Sequence, residues 1–122
     1  MQPHIRAITA ASADALVTGN KVAGLYDHQA DRHLRIAAEA RGQHLQGFDG
    51  DRNAKFGGSL PELRDTGADT SIYMQIDDDG AQGFDRSTSS HFTIKIAENL
   101  VQLYDHSEAT WFTFTVEIAP QG

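Results

Sequence analysis

Cysteine is absent from this 122-residue sequence, and no long apolar run is present. Without cysteine the chain has neither a disulfide framework nor a thiolate metal site, although the absence leaves the cellular compartment open. No apolar run approaches the length of a membrane-spanning helix, and the first residues lack the uninterrupted apolar core of a signal peptide. We therefore expect a soluble protein with no membrane association, located by default in the cytoplasm.

Basic residues are also scarce, since 10 Lys and Arg stand against 17 Asp and Glu, for a formal net charge of −7. A surface of this sign repels a phosphate backbone on average, so a nucleic-acid partner is disfavoured. The sequence also lacks a nucleophile motif, a glycine-rich phosphate loop and the ligand spacing of a zinc site. An enzyme is therefore the less favoured interpretation, and no cofactor is predicted.

A short repeated pattern is the most prominent feature that the sequence does contain. The pattern is an aromatic residue, then an aspartate and, seven residues after the aspartate, a large apolar residue. Its four copies are Tyr26-Asp27 with Leu34, Phe48-Asp49 with Phe56, Phe84-Asp85 with Phe92, and Tyr104-Asp105 with Phe112. Alternating residues flank a polar tip of about four residues in each copy, which predicts a β-hairpin.

The expected register of the first hairpin follows from its tip, residues 29–32. His28 then faces His33, and Asp27 faces Leu34. Counting outward from these pairs keeps one face of the hairpin apolar and the other face mixed.

The two halves of the chain match each other. Asp27 and Asp85 are 58 residues apart, and Asp49 and Asp105 are 56 residues apart, so the second half repeats the first with two residues lost. This regularity indicates an internal duplication.

We predict a single all-β domain over residues 1–122, with repeats at 14–60 and 71–118 and a linker at 61–70, where proline, glycine and acidic residues are typical of a loop. The strands form an antiparallel up-and-down meander of about ten strands, in two five-stranded halves. Such a meander can close into a round or flattened barrel or fold into a two-sheet sandwich, and a filled barrel is favoured because glycines alternate with phenylalanines on the apolar face.

No helix is predicted in the chain. Residues 1–12 are expected to form a leading strand or a loosely held arm. Residues 15–18 are expected to form a strand that meets a primed hairpin turn at Gly19-Asn20.

The four repeat aspartates, Asp27, Asp49, Asp85 and Asp105, are predicted to lie at the same end of their hairpins. Gathered around one barrel mouth, they could bind calcium or supply a pair of carboxylates for acid–base chemistry. They could instead cap the turns by accepting backbone hydrogen bonds, and this interpretation is favoured because the same residue recurs in every copy.

The first hairpin alone carries two histidines at its tip. His28 and His33, with Asp31 as a third ligand, form a candidate divalent-metal site. A solvated pair of histidines is the favoured alternative, since the sequence ties no third histidine to this position.

The mixed face of the hairpins carries aromatic rings among amides and hydroxyls, a composition that suits recognition of sugars or proteins. The candidate binding residues are Tyr26, Arg35, Phe48, Phe84, Tyr104 and Trp111. The same rings can instead serve only to stabilise the sheet through cross-strand pairs.

Two functions are therefore kept. The first is a non-catalytic β module that binds a protein or small-molecule partner, or self-associates as a homo-oligomer, through this aromatic-polar face. The alternative is a small-molecule or metal-binding barrel, or an enzyme with a carboxylate and histidine site at one barrel mouth.

Overall fold

The computed structural model describes residues 1–120, which form one helix and eleven strands. The elements are α1 (Pro3–Thr18), β1 (Val22–Asp27), β2 (Arg32–Leu34), β3 (Ile36–Arg41), β4 (His44–Asp49), β5 (Ala54–Ser59), β6 (Glu62–Asp65), β7 (Thr70–Ile76), β8 (Gly80–Asp85), β9 (Ser90–Ala97), β10 (Leu100–Asp105) and β11 (Thr110–Ile118).

The strands form a closed antiparallel barrel. From β3 to β11 each strand pairs with the next along the chain, and β11 pairs with β1 to close the ring. Ten strands make the barrel, and the short strand β2 lies outside it, paired with β1. The predicted up-and-down meander of about ten strands is confirmed, with closure into a barrel and not a sandwich.

The helix α1 occupies the interior of this barrel. It contacts β1, β3, β4 and every strand from β7 to β11, and its residues from Ala7 to Ala15 are all buried. Small side chains make this arrangement feasible, because the segment AITAASADA lets strands approach the helix from every side. The helix described here is neither long nor apolar enough to cross a membrane.

The expectation of an arm or strand in this segment was therefore wrong. A helix that is buried all round lacks the one-sided apolar period that identifies a surface helix. Gly19 does adopt a positive φ of 76°. However, its N–H donates a hydrogen bond to the carbonyl of Ala15 at 3.0 Å, so Gly19 is the residue at which α1 ends. The predicted hairpin turn at Gly19-Asn20 is thus a helix C-terminus.

Glycines of the inner face make room for phenylalanines on neighbouring strands. A Cβ atom added at Gly47 would lie 2.2 Å from the ring of Phe56; one at Gly83 would lie 1.8 Å from the carbonyl oxygen of Tyr73 and 2.7 Å from the ring of Phe92. The phenylalanine rings therefore lie directly over the glycine backbones, and the interior is filled by these rings together with α1.

The predicted linker at 61–70 is also wrong, because these residues form β6, a turn and the start of β7, which together make a fifth hairpin of the repeated type. Strand β6 pairs with both β5 and β7, and the turn at 66–69 follows Asp65 as the other turns follow their aspartates. The large apolar residue again comes seven positions later, at Ile72. Arg64 stands in the aromatic position, which hid this copy of the pattern.

The hairpin register differs from the expected one by two residues. In the first hairpin Asp27 pairs with Arg32 and Tyr26 pairs with His33, around a turn of residues 28–31. The aspartate is thus the last residue of the strand ladder. A two-residue shift leaves each side chain on its predicted face, because side-chain direction repeats every two residues.

The last residue of each turn is left-handed, with φ between 52° and 56°: Asp31, Asn53, Asp69, Ser89 and Ala109.

Candidate binding face and barrel mouth

The five hairpin aspartates surround one mouth of the barrel and are buried. In Asp27, Oδ1 accepts the backbone N–H groups of Gln29 at 3.0 Å and Ala30 at 3.2 Å. The other four, Asp49, Asp65, Asp85 and Asp105, also accept a backbone N–H from their own turns, at 2.9–3.1 Å for the shortest bond of each. These are the bonds that a turn-capping aspartate makes.

Arg52 joins two of these carboxylates. Its Nε donates to Asp49 Oδ2 at 2.7 Å, and its two terminal nitrogens donate to both oxygens of Asp65 at 2.9 and 3.0 Å. Burial, the largest single influence, acts to raise the pKa of Asp65, but the hydrogen bonds and charge of Arg52 together with backbone hydrogen bonds from Ala68 and Gly67 lower it overall. Despite its own partial burial, Arg52 has a raised pKa because of the same bonds. The three side chains therefore form a charged cluster.

The amino nitrogen of Met1 occupies the opposite side of the mouth. It lies 2.9 Å from Asp105 Oδ2, with both groups fully buried, and 3.4 Å from Ser90 Oγ. Burial alone would raise the pKa of Asp105, but hydrogen bonds from the amino group and from Ser107 lower it overall. Asp65 and Asp105 are thus held ionised, which does not suit a general acid.

The histidines of the first hairpin are not opposite each other, contrary to the expected register. His28 Nε2 lies 2.7 Å from Thr115 Oγ1, whereas His33 Nδ1 lies 2.6 Å from Glu117 Oε1. Asp31 accepts a hydrogen bond from the hydroxyl of Tyr26. All three candidate metal ligands contact Tyr26, whose ring lies 4.9 Å from each imidazole, but each histidine forms its hydrogen bond to a different residue of β11. Residues 1–120 contain no group of three side chains arranged to hold a metal ion.

The six candidate binding residues are distributed around the outside of the barrel. Arg35 is held by Asp51 through a 2.9 Å bond beside the first turn, and Phe48 lies on β4. In the ring of ten strands β4 is five strands away from β9 in either direction, so Phe48 lies across the barrel from the rings on β8 to β11. These residues do not form one continuous surface.

The rings on β8 to β11 do form a continuous group, which we call the aromatic face: Phe84, His91, Tyr104, His106 and Trp111. Edge-on contacts join Phe84 to His91 and Tyr104 to His106, with centroids 4.8 Å apart in each pair. The rings of Tyr104 and Trp111 are 5.0 Å apart. Trp111 is 43% exposed, which is unusual for so large an apolar side chain.

Charge is unevenly distributed around the barrel. Among the outward residues of β8 to β11, Lys95 and Glu117 are the only charged side chains, and Lys95 Nζ lies 5.8 Å from the centre of the Trp111 ring. The outward residues of β3 to β6 include five charged side chains: Glu39, Arg41, Lys55, Glu62 and Arg64. The aromatic face is thus a nearly neutral region on an acidic chain.

The barrel interior holds an unpaired carboxylate that sequence analysis did not single out. Asp14, on α1, is fully buried; its Oδ1 has no hydrogen-bond partner among residues 1–120, and its Oδ2 accepts a long, 3.5 Å hydrogen bond from the hydroxyl of Thr18, with Asn20 also near enough to act on its pKa. Burial raises its pKa to about 6. Thr9 Oγ1 is likewise buried without a partner among the described residues.

The sequence analysis also did not identify Asp65 and Arg52 as residues of the barrel mouth. The seven-residue interval to Ile72 was a usable signal for Asp65, whereas nothing in the local sequence shows that Arg52 reaches the next hairpin.

Comparison of the chain with protein-family models, with curated proteins and with solved structures found no match. A function therefore has to be inferred from the chain's own geometry.

Proposed function

We propose that this protein is a non-catalytic binding module that associates with a protein partner through the aromatic face, and that a second copy of the same chain is the first partner to test. The observation that carries the proposal is the exposed Trp111 ring, set against Tyr104 in a nearly neutral region of an otherwise charged surface.

The composition of the face agrees with this role. Aromatic side chains are enriched in the cores of protein interfaces, where charged residues are depleted. Tryptophan and tyrosine also dominate the binding energy of many interfaces, because they bury a large area with few rotatable bonds.

The closed barrel determines how such a partner can bind. With β1 paired to β11, none of the ten barrel strands ends the sheet, and the strand outside the barrel, β2, offers an edge of only three residues at which a partner could add a strand. Recognition is therefore expected to depend mainly on outward side chains. Because α1 occupies the barrel interior, the alternative of a small-molecule-binding barrel is less favoured.

Analytical ultracentrifugation of the wild type and of a Trp111→Ser variant tests the proposal. We expect a concentration-dependent dimer in the wild type, and a dissociation constant raised about thirtyfold or more in Trp111→Ser, the size of a typical hot-spot loss. Phe48→Ser is the matched control, because Phe48 is 40% exposed but lies on the opposite wall. It should leave the dimer unchanged.

A monomer at every concentration up to about 1 mM, where associations worth about 4 kcal/mol are still detectable, would remove self-association. Equal effects of the two substitutions would exclude the aromatic face as the interface.

A further inference from the structure

A cleft of about 330 Å³ opens at the barrel mouth, between α1 and the first two hairpins. Its apolar walls include Ala7, Leu34 and Ile36, and its polar lining includes His4, Asp27 and Arg32. The volume suits a small ligand with an apolar body and one polar group.

The five hairpin aspartates differ in what binds their second carboxylate oxygen. At Asp49 this second oxygen accepts a hydrogen bond from Arg52, and at Asp65 both oxygens accept hydrogen bonds from the same guanidinium. At Asp105 it accepts from the amino nitrogen of Met1. At Asp85 the second oxygen accepts a hydrogen bond from the hydroxyl of Thr88 at 3.1 Å.

Asp27 is the exception. It is only 8% exposed, and its Oδ1 accepts two backbone N–H groups, but its Oδ2 has no donor among residues 1–120. Arg32 lines the same cleft without forming an ion pair to Asp27, and the donors of Arg52 are committed to the other two carboxylates. Asp27 is therefore a largely buried residue of the cleft lining whose Oδ2 lacks the donor that its counterparts have among residues 1–120.

A second residue of the cleft lining can accept a hydrogen bond. His4 lines the cleft from the first turn of α1, and its pKa is lowered by partial burial and, secondarily, by the charge of Arg52. A neutral imidazole has one nitrogen that can accept an N–H group. The carboxylate of Asp27 and the imidazole of His4 can therefore both accept hydrogen bonds from a ligand that carries several N–H groups.

We propose that this cleft binds a small organic cation, a primary ammonium or guanidinium on a short alkyl chain, with the charged group on Oδ2 of Asp27 and the alkyl chain against Leu34 and Ile36. The guanidinium and amino groups that satisfy the neighbouring aspartates show which donors this kind of site accepts. Charge-assisted bonds of this type are also the stronger class of hydrogen bond. The site is separate from the aromatic face, so it stands or fails independently of the proposed function.

The test is an NMR titration of the full chain with n-butylguanidinium chloride at constant ionic strength, with neutral n-butylurea as the matched probe. We expect saturable shifts at the backbone amides of Gln29 and Ala30, which donate to Asp27. Butylurea should bind about tenfold more weakly or worse, because it lacks the charge. Absence of saturation, or equal binding of the two probes, would overturn the proposal.

Three variants locate the site. Asp27→Asn keeps an acceptor for the turn and removes the charge, so butylguanidinium affinity should fall about tenfold. Asp51→Asn, in the same cleft lining but paired with Arg35, is the control and should change affinity less than about twofold. Arg32→Ala removes a competing cation and should tighten binding. Unchanged affinity in a folded Asp27→Asn protein would refute the assignment, and the comparison of the two probes on the wild type decides the question if that variant does not fold.

Discussion

The buried carboxylate of Asp14 should destabilise the protein at neutral pH, and Asp14→Asn should remove this cost. The side chain is fully buried, one oxygen has no partner among residues 1–120, and no cation faces it in an ion pair. An asparagine of nearly the same shape carries no charge to desolvate. The substitution should therefore raise the free energy of unfolding.

The sign and size of this change in the free energy of unfolding follow from the pKa of Asp14. Burial raises it from 3.8 to about 6 in the folded protein, so the protonated form is favoured by folding. The stability that the protonated Asp14 contributes is fully present below pH 3.8. It declines as the pH rises toward 6 and is absent above that value. The difference corresponds to about 3 kcal/mol at pH 7, since each tenfold change in proton affinity is worth about 1.4 kcal/mol.

Urea unfolding of both proteins between pH 4 and pH 8 measures the effect. We expect the stability advantage of Asp14→Asn to be small near pH 4 and to grow to about 2–3 kcal/mol by pH 7. Asp51→Asn is the control of opposite sign, because hydrogen bonds from Arg35 lower the pKa of Asp51 and ionisation is favoured there. An advantage for Asp14→Asn that is equal at pH 4 and pH 7 would refute the reasoning.

Two further predictions concern the barrel mouth. Arg52→Ala should lower the free energy of unfolding by about 3–5 kcal/mol in thermal or urea unfolding, because Asp49 and Asp65 would remain buried without their cation; a loss below about 1 kcal/mol, the range of a surface pair, would contradict this. Asp27→Ala and Asp85→Ala should each cost about 0.5–2 kcal/mol as independent turn caps, and their costs should add in the double variant. A coupling larger than about 1 kcal/mol between these two changes would instead support a cooperative carboxylate cluster.

The strands could be predicted because their signals are local. Each hairpin combines alternation with an aspartate at a fixed distance from the next large apolar residue, and the inward and outward faces follow from that alternation alone. The two-residue error in register arose because the aspartate pairs within the ladder while its side chain caps the turn. Neighbouring residues show the presence of a turn, but they do not show how many residues it contains.

The features that were missed depend on tertiary structure. The segment of α1 carries small residues on every side, so its burial inside the barrel leaves no periodic pattern to detect. Arg52 belongs to one turn and neutralises an aspartate of another, and His4 comes near them only because α1 runs through the barrel. The alternation of aromatic residues predicted a single binding face on the sheet. The sheet closes into a barrel, however, so Phe48 and Trp111 lie on different walls.

The position of α1 has a consequence for the order of folding. The helix comes first in the chain but is enclosed only when the last strand, β11, pairs with β1. Until that pairing forms, β1 and β11 each have an open edge and the barrel around the helix is not closed. Contacts between residues so distant in sequence slow folding, because the entropy of the long connecting chain is lost before the contact is gained. Once the barrel has closed, we expect the amides of the buried residues 7–15 of α1 to exchange with solvent chiefly when the wall opens, so their exchange rates would measure the opening of the barrel.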